Sequence, residues 1–435
     1  MEIFDVVGDL PKNRALYFHI PFCQDICAFC PFSREVCKDE ETLDLYTDAL
    51  IKEIYLKSKY KNIKKFPINA IFFGGGTPSI LKPRHILKIG KAIHENFDLS
   101  QLKEFSYEMN AKTVTPDRVE ALKSIGVTHA RMGVQTFNPK YRELFKLSAT
   151  LEQIYYGAKL LNDNFKYVCI DMLYGMHGQT IDEFIRDLNC AIKLNTPTID
   201  IYPINNLVTQ TRLSTEYKNH NLNATSGLTK FLMNVILRES MKNNGYLPHN
   251  GHGYIKSSKN IFNNHNVVTD EYRFQYHEAV YGYKGHEVIG FGSAACSIFD
   301  GFLISNSSNT KKYINDLLNS NCYDFDIYQY DKKVCENKGI CLHLPYHGEV
   351  EKSKINYELV DPEVLSRLRL AINHGLIIEK EDKFELTQLG WYWYVNLLYY
   401  LSPTSDQKKL EDYINGRCLE KNRFVEEWNI DLGFN

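Results

Sequence analysis

The 435-residue chain has no apolar run long enough to span a membrane. Its opening, MEIFDVVGDLPKNRA, lacks the basic-then-apolar order of a secretory signal. Charge of either sign is not in excess: 51 Lys and Arg against 53 Asp and Glu leave a net charge of −2. That is no footprint for nucleic acid or an anionic membrane, so neither is expected as a partner. The arithmetic of a disulfide framework is missing too, since eleven cysteines in a long chain are odd in number. A reducing, cytoplasmic location is the expectation. No internal repeat or low-complexity tract breaks the chain.

What is present is a pattern. Through about residue 205, short β-rich runs alternate with helical ones: candidate strands at 16–20, 69–73, 105–110, 129–134, 168–173 and 199–203. Leu43, Tyr46, Leu50, Ile51 and Ile54 recur at helical spacing behind a capping Asp39. Residues 116–126 read as a helix closed by glycine, and 181–195 as another. Such alternation predicts an α/β fold with a parallel sheet, either open or an incomplete barrel. Residues 205–227 read as polar loop, 228–244 as helix, 288–297 as strand and turn, and 298–342 as helix plus loop. Residues 362–387 read as helix, turn and short strand, with a second helix to 401, like a small winged-helix unit. Three units are expected: 1–205, 206–345 and 346–435.

Three of the cysteines are not scattered. Cys23, Cys27 and Cys30 stand in YFHIPFCQDICAFCPF with spacing C-x3-C-x2-C, directly after the first candidate strand. Three thiolates from one loop suit an iron–sulfur cluster with one iron left to a non-protein ligand. Zinc remains open if a remote side chain supplies a fourth ligand. The position, at the carboxyl end of a strand, is where α/β barrels hold their sites.

This signature resembles that of the radical S-adenosylmethionine (radical SAM) superfamily. The wider stretch resembles the opening of the oxygen-independent coproporphyrinogen III oxidase family, which includes haem chaperones, haem-degrading enzymes and class C methyltransferases. Further segments match in order: IFFGGGTPSIL, FSYEMNAKTVT, RMGVQTFN, CIDMLYGMHGQT and VIGFGSAACS. The resemblance implies an incomplete (β/α)6 TIM-like barrel with a C-terminal α+β extension. It implies a [4Fe–4S] cluster on Cys23, Cys27 and Cys30, and one or two SAM molecules. By the same resemblance Gly74, Gly75, Gly76 and Thr77 would grip the SAM amino group. Glu108 would contact SAM, Gln135 its ribose, and Tyr17, Phe29, Asp171 and Gly175 would line the same site. One-electron reduction would cleave SAM to methionine and a 5′-deoxyadenosyl radical, with an electron donor such as flavodoxin or ferredoxin.

The chain departs from the family in two places. Coproporphyrinogen oxidases extend the motif to C-x3-C-x2-C-x-C, and Phe32 occupies that last position here. Many members place an arginine twelve residues after the glutamine, where this chain has Leu147 beside Lys146. The missing cysteine argues against the oxidase itself, and among the activities the resemblance implies, C-methylation or related carbon transfer on a (hetero)aromatic substrate with a second SAM is the expectation. The alternatives are a tetrapyrrole-acting enzyme and a non-enzymatic haem chaperone. LPHNGHGYIK offers His249 and His252 as haem ligands for the latter two, though histidines in a polar loop are expected to face solvent.

Overall fold

Strand β1 (Asn13–Ile20) opens a computed structural model that describes residues 13–204, 211–257, 274–281, 285–299, 301–320 and 322–419. The expected alternation follows: α1 (Glu40–Lys57), β2 (Ala70–Gly75), α2 (Pro83–Asn96), β3 (Glu104–Asn110), α3 (Pro116–Ser124), β4 (His129–Gln135), α4 (Leu151–Asn164), β5 (Tyr167–Tyr174), α5 (Ile181–Lys193) and β6 (Thr198–Pro203). Local chemistry sets the helix starts. The Asp39 carboxylate accepts from Thr42 N at 2.7 Å, and Thr180 with Glu183 forms a capping box on α5.

The six strands pair in parallel in chain order, β1 through β6. Alternate side chains of each strand therefore face opposite sides of one curved sheet. The outer set, including Phe18, Phe73, Phe105 and Tyr107, is buried against the helices, with Phe18 and Phe73 stacked at 4.6 Å. The inner set is less covered toward the carboxyl ends, where Tyr17, Glu108, Gly133, Gln135 and Asp171 are only partly buried. This is the expected α/β incomplete barrel.

Later elements extend both edges. After α6 (Gly227–Asn243), β7 (Tyr246–Pro248) pairs antiparallel with β8 (Gly253–Lys256), which itself pairs antiparallel with β6. Helix α7 (Gln275–Tyr281) leads to β9 (His286–Phe291), which returns across the molecule to pair parallel with β1. Beyond it lie β10 (Cys296–Phe299), β11 (Phe302–Asn306) and β12 (Phe325–Gln329), all antiparallel. Over 298–342, helices at Thr310–Asn315 and Lys332–Lys338 fit the expectation of helix plus loop, while β11 and β12 correct it. Runs of four or five mixed residues carry no decisive period, and it is the open edge of β9 that makes them strands. Within the expected loop 205–227, Thr211–Asn219 is helical, while 205–210 lie outside the described residues.

The last portion has its own core of Ile340, Leu344, Val350, Leu368, Phe384 and Trp391. A three-stranded sheet of β13 (Glu349–Glu351), β14 (Ile377–Glu379) and β15 (Lys383–Leu386) packs there with α8 (Pro362–Asn373). Among the described residues no helix is long and apolar enough to cross a membrane.

A buried ion pair joins α1 to the β9–β11 edge. Lys57 Nζ lies 2.7 Å from Glu53 Oε1, with both side chains at most 1% exposed. The Glu53 carboxylate also accepts from Gly292 N, Asn306 Nδ2 and Tyr313 OH. Lys57→Met removes the cation and leaves that carboxylate in the interior. The expected loss is about 3–5 kcal/mol, read as a lower urea midpoint at unchanged slope.

Candidate functional site

The cysteine loop is pinned at its base by backbone. Glu35 N donates to Pro21 O at 2.7 Å, Cys37 N to Cys23 O at 3.0 Å, and Thr77 N to Phe22 O at 2.8 Å. Inside this frame Cys23 is buried, and Cys27 and Cys30 are partly covered. The Thr77 hydroxyl lies 3.3 Å from Cys23 Sγ. Burial raises all three thiols, Cys27 to about 12. Three desolvated thiols become thiolates only beside compensating positive charge, which irons supply. Arg34, from the same loop, acts on all three in the same sense.

Spacing bears on which metal fits. Among the described residues, the metal-type triads whose ligand atoms all lie within 4.8 Å are Glu278–His343–His347 and Cys169–Asp171–Asp200. The three loop thiols are not such a set. Tetrahedral zinc with Zn–S near 2.3 Å would draw its sulfurs to about 3.8 Å apart. Three thiolates from one loop are the donor set of a multi-iron cluster that leaves one iron to a non-protein ligand.

Beside the loop, the glycine run leaves no room for side chains. A Cβ at Gly75, where φ is +110°, would lie 2.7 Å from the His19 ring, and one at Gly76 2.7 Å from Phe22 O. At Gly74 it would meet the Phe72 ring at 2.7 Å and Glu108 Oε2 at 3.1 Å. So Gly75 and Gly76 let β2 run against β1 and the cysteine loop, and Gly74 keeps open the space before Glu108.

Other residues expected at the site fall into two groups. Tyr17, Glu108, Gln135 and Asp171 face the same side near the strand ends. The Glu108 carboxyl is pushed up to about 8, by burial first and then by the like charge of Asp171. Gln135 follows a bulge and has φ of 71°, a left-handed conformation unusual for a side-chain-bearing residue. The Gly133 position lets its amide fold back, since a Cβ there would lie 2.9 Å from Gln135 Nε2. Asp171 is already engaged: its Oδ1 accepts from Arg131 Nη2 at 3.1 Å.

Phe29 and Gly175 have local partners. The Phe29 ring packs edge-on against Phe145 at 5.1 Å, in an apolar cluster with Tyr141, Leu144 and Leu147. It thereby anchors the cysteine loop. Gly175, with φ of 76°, donates its N–H to Gln179 Oε1 at 2.8 Å. Lys146 turns away to Glu216, 2.5 Å distant, and Leu147 joins the Phe29 cluster.

Two charged inner groups, Arg131 and Asp200, carry no expectation from the sequence. Arg131 is 4% exposed and joins Asp171 to Asp200, with Nη2 2.5 Å from Asp200 Oδ2. Burial is the largest single influence on Asp200 and raises it, but Arg131, by charge and hydrogen bond, together with His252 and His249 holds the carboxyl below its ordinary value. A charge at alternate positions within otherwise apolar strands, as in HARMGV and TIDIY, was the available signal. His19 bonds through both ring nitrogens, Nε2 to Ser33 O at 2.9 Å and Nδ1 to Tyr17 OH at 2.9 Å. A carbonyl only accepts, so Nε2 carries the proton of the neutral ring and Tyr17 donates to Nδ1.

Of His249 and His252, expected to face solvent, the first is buried and the second half-buried. His249 is 3% exposed, with Nε2 3.9 Å from Asp200 Oδ1. The physical reason is pairing: β8 turns the HNGHG segment in over β6, and Ile201 N donates to His252 O at 2.8 Å. Burial lowers His249 to about 4 and His252 to about 3, so both imidazoles are neutral. Tyr346, from the C-terminal portion, bonds through its hydroxyl to His252 Nε2 at 3.0 Å and His277 Nδ1 at 2.7 Å.

Rings connect the two regions. Tyr17 stacks near Tyr276 at 5.8 Å, Tyr276 on Phe72 at 4.3 Å, Phe72 near Phe274 at 5.7 Å, and Phe274 on His277 at 3.9 Å. With Tyr346, His252 and Tyr202 they form an aromatic wall from the cysteine loop to the far side of the sheet.

Comparison with known proteins follows the same geometry. Residues 17–191 match the model of the radical SAM superfamily. The chain is 31% identical over 196 residues to Heme chaperone HemW of Lactococcus lactis, covering 45% of this chain and 50% of that one. It is 31% identical over 198 residues to Anaerobilin synthase of Escherichia coli O157:H7, covering 45% and 44%. The chain thus spans about half the length of these two curated relatives. The structure of coproporphyrinogen III oxidase from Escherichia coli superimposes with a TM-score of 0.75 over 90% of both chains, at 22% identity, which establishes the shared fold.

Cys27→Ala is expected to abolish the cluster. Anaerobically reconstituted protein should lose iron, sulfide and the broad absorbance near ~400 nm together.

Proposed function

We propose that this chain, whose residues 17–191 form a radical SAM domain, acts on a tetrapyrrole held along the aromatic wall. One observation carries the reading: the wall begins at Tyr17, beside the cysteine loop, and ends at neutral, half-buried His252 and His277. A large flat macrocycle matches such a wall, and neutral imidazoles are the form that can meet haem iron. The three relatives described above carry names built on heme, a bilin and a porphyrinogen, all tetrapyrroles. That supports tetrapyrrole chemistry over the C-methylation with a second SAM expected from the sequence.

Bound at such a site, the cluster and SAM supply one-electron reductive cleavage of a sulfonium and thus a hydrogen-abstracting carbon radical. The chain's own contribution is placement and exclusion of water. Cys23, Cys27 and Cys30 would hold the cluster. Glu108, facing the space kept open by Gly74, would accept the SAM amino group, and Gln135 would face the ribose. Tyr17 would lie between the SAM side and the substrate wall. Arg131 ties Asp171 to Asp200, and through that pair it orients the inner polar groups. An electron donor of the flavodoxin or ferredoxin kind would deliver the electron.

A haem chaperone is the second reading, favoured by the match to the Lactococcus protein and by buried His249 and half-buried His252. Products separate the readings. Reconstituted protein, reductant and SAM would be incubated without oxygen with haem or coproporphyrinogen III. Substrate-dependent 5′-deoxyadenosine and an altered tetrapyrrole are the expected result. S-adenosylhomocysteine among the products would restore methyl transfer, and haem binding with no cleavage of SAM would leave the chaperone.

Affinity for SAM should depend on pH. With its carboxyl raised to about 8, Glu108 is mostly protonated at neutral pH. A bound ammonium group favours the carboxylate, so binding releases a proton. Affinity should therefore rise as pH climbs toward about 8, by at most about tenfold per unit, and level off above. Calorimetric titration across this range checks the slope, and Glu108→Gln should flatten it.

A further inference from the structure

A second set of metal-type ligands lies outside the site just described. Glu278 on α7, with His343 and His347 from the C-terminal portion, places one carboxylate oxygen and two imidazole nitrogens within 4.8 Å of one another. All three are buried, at 6%, 1% and 5% exposure. The two histidines come from one helical run, Lys332–Lys338, Gly339–His343 and Leu344–His347. Its middle segment is a π-helical turn, a rare insertion that recurs at functional sites. Four residues apart, the two imidazoles lie on one face with ring centroids 4.4 Å apart.

The surroundings orient these groups. His343 Nδ1 lies 3.3 Å from Tyr281 O. A carbonyl only accepts, so Nδ1 carries the proton and Nε2 is the ring's lone-pair nitrogen. An imidazole whose second nitrogen bonds a backbone carbonyl is the arrangement that holds metal-ligating histidines in place. His286, on β9, bonds through Nδ1 to the Glu278 carbonyl at 2.8 Å and holds α7 at its position. The Glu278 carboxylate is 3.5 Å from His347 Nδ1, close enough for both to share an ion.

We propose that Glu278, His343 and His347 bind one divalent first-row transition ion, such as Zn2+ or Fe2+, through two imidazoles and a carboxylate. Three protein ligands leave coordination positions for water or a further ligand, unlike a closed structural zinc site. The ion would tie α7, which carries Tyr276 and His277 of the aromatic wall, to the helical run that carries Tyr346. This site is independent of the cysteine loop and of the tetrapyrrole reading.

The test uses the full chain with its cluster assembled, treated with a mild chelator and titrated anaerobically with Co2+. One equivalent should bind, with a visible ligand-field spectrum and magnetic coupling to imidazole nitrogen, and Zn2+ should displace it. His347→Ala and the near-isosteric Glu278→Gln should each weaken binding by about tenfold or more. Unchanged cluster absorbance in both variants shows that the barrel has folded. No Co2+ uptake by the wild-type chain, uptake with thiolate charge-transfer bands instead of imidazole coupling, or equal affinity in folded variants overturns the proposal. The three groups would then be a buried hydrogen-bonded cluster only.

Discussion

The site depends on how closely β1 is flanked at its carboxyl end. On one side β2 approaches through Gly75 and Gly76, where a Cβ would strike the His19 ring or the Phe22 carbonyl. On the other, Gly292 follows β9, where a Cβ would come within 2.4 Å of His19 O. His19 stands between them, its carbonyl accepting from Tyr46 OH at 2.7 Å and its ring joining Tyr17 to Ser33 of the cysteine loop. A side chain at any of these glycines would push the neighbouring strand outward and carry the thiols with it. The loop is thus set by backbone proximity on both flanks, and the polar groups displaced by such a shift would have to be buried without partners.

Inside the barrel, low polarity decides the charge states. Burial keeps His249 and His252 neutral and raises Glu108, while Arg131 stands between Asp171 and Asp200. On the proposed reading, the SAM ammonium would meet Glu108 in these dehydrated surroundings. That is the condition a reactive carbon radical requires, since it takes hydrogen from whatever it touches. The C-terminal portion takes part: Tyr346 reaches from the helical run next to the winged-helix-like core to bond His252 and His277.

Much of the framework was legible because its signals are local. Each of the six parallel strands lies within a few residues of its expected place, since alternation with capped, amphipathic helices is written in consecutive residues. The edge strands β11 and β12 read as helix and loop in the sequence, because short runs take their state from the edge they join. Asp171 reads alone as a ligand-facing acid, but its partner Arg131 lies one strand away. Solvent exposure of His249 failed as an expectation for the same reason: β8 folds over β6 by pairing that no local pattern encodes.

By itself the sequence determined three thiols at a spacing that one loop can bring together, the order of the strands, and glycines where backbone must pass closely. These are matters of near neighbours along the chain, and near neighbours in sequence remain near in any fold. Only the tertiary structure decided which charges face each other, which histidines lose water and become neutral, and that Glu278 meets His343 and His347. Those outcomes rest on contacts between segments tens of residues apart, whose desolvation exists only once the sheet, α7 and the C-terminal helices have closed together.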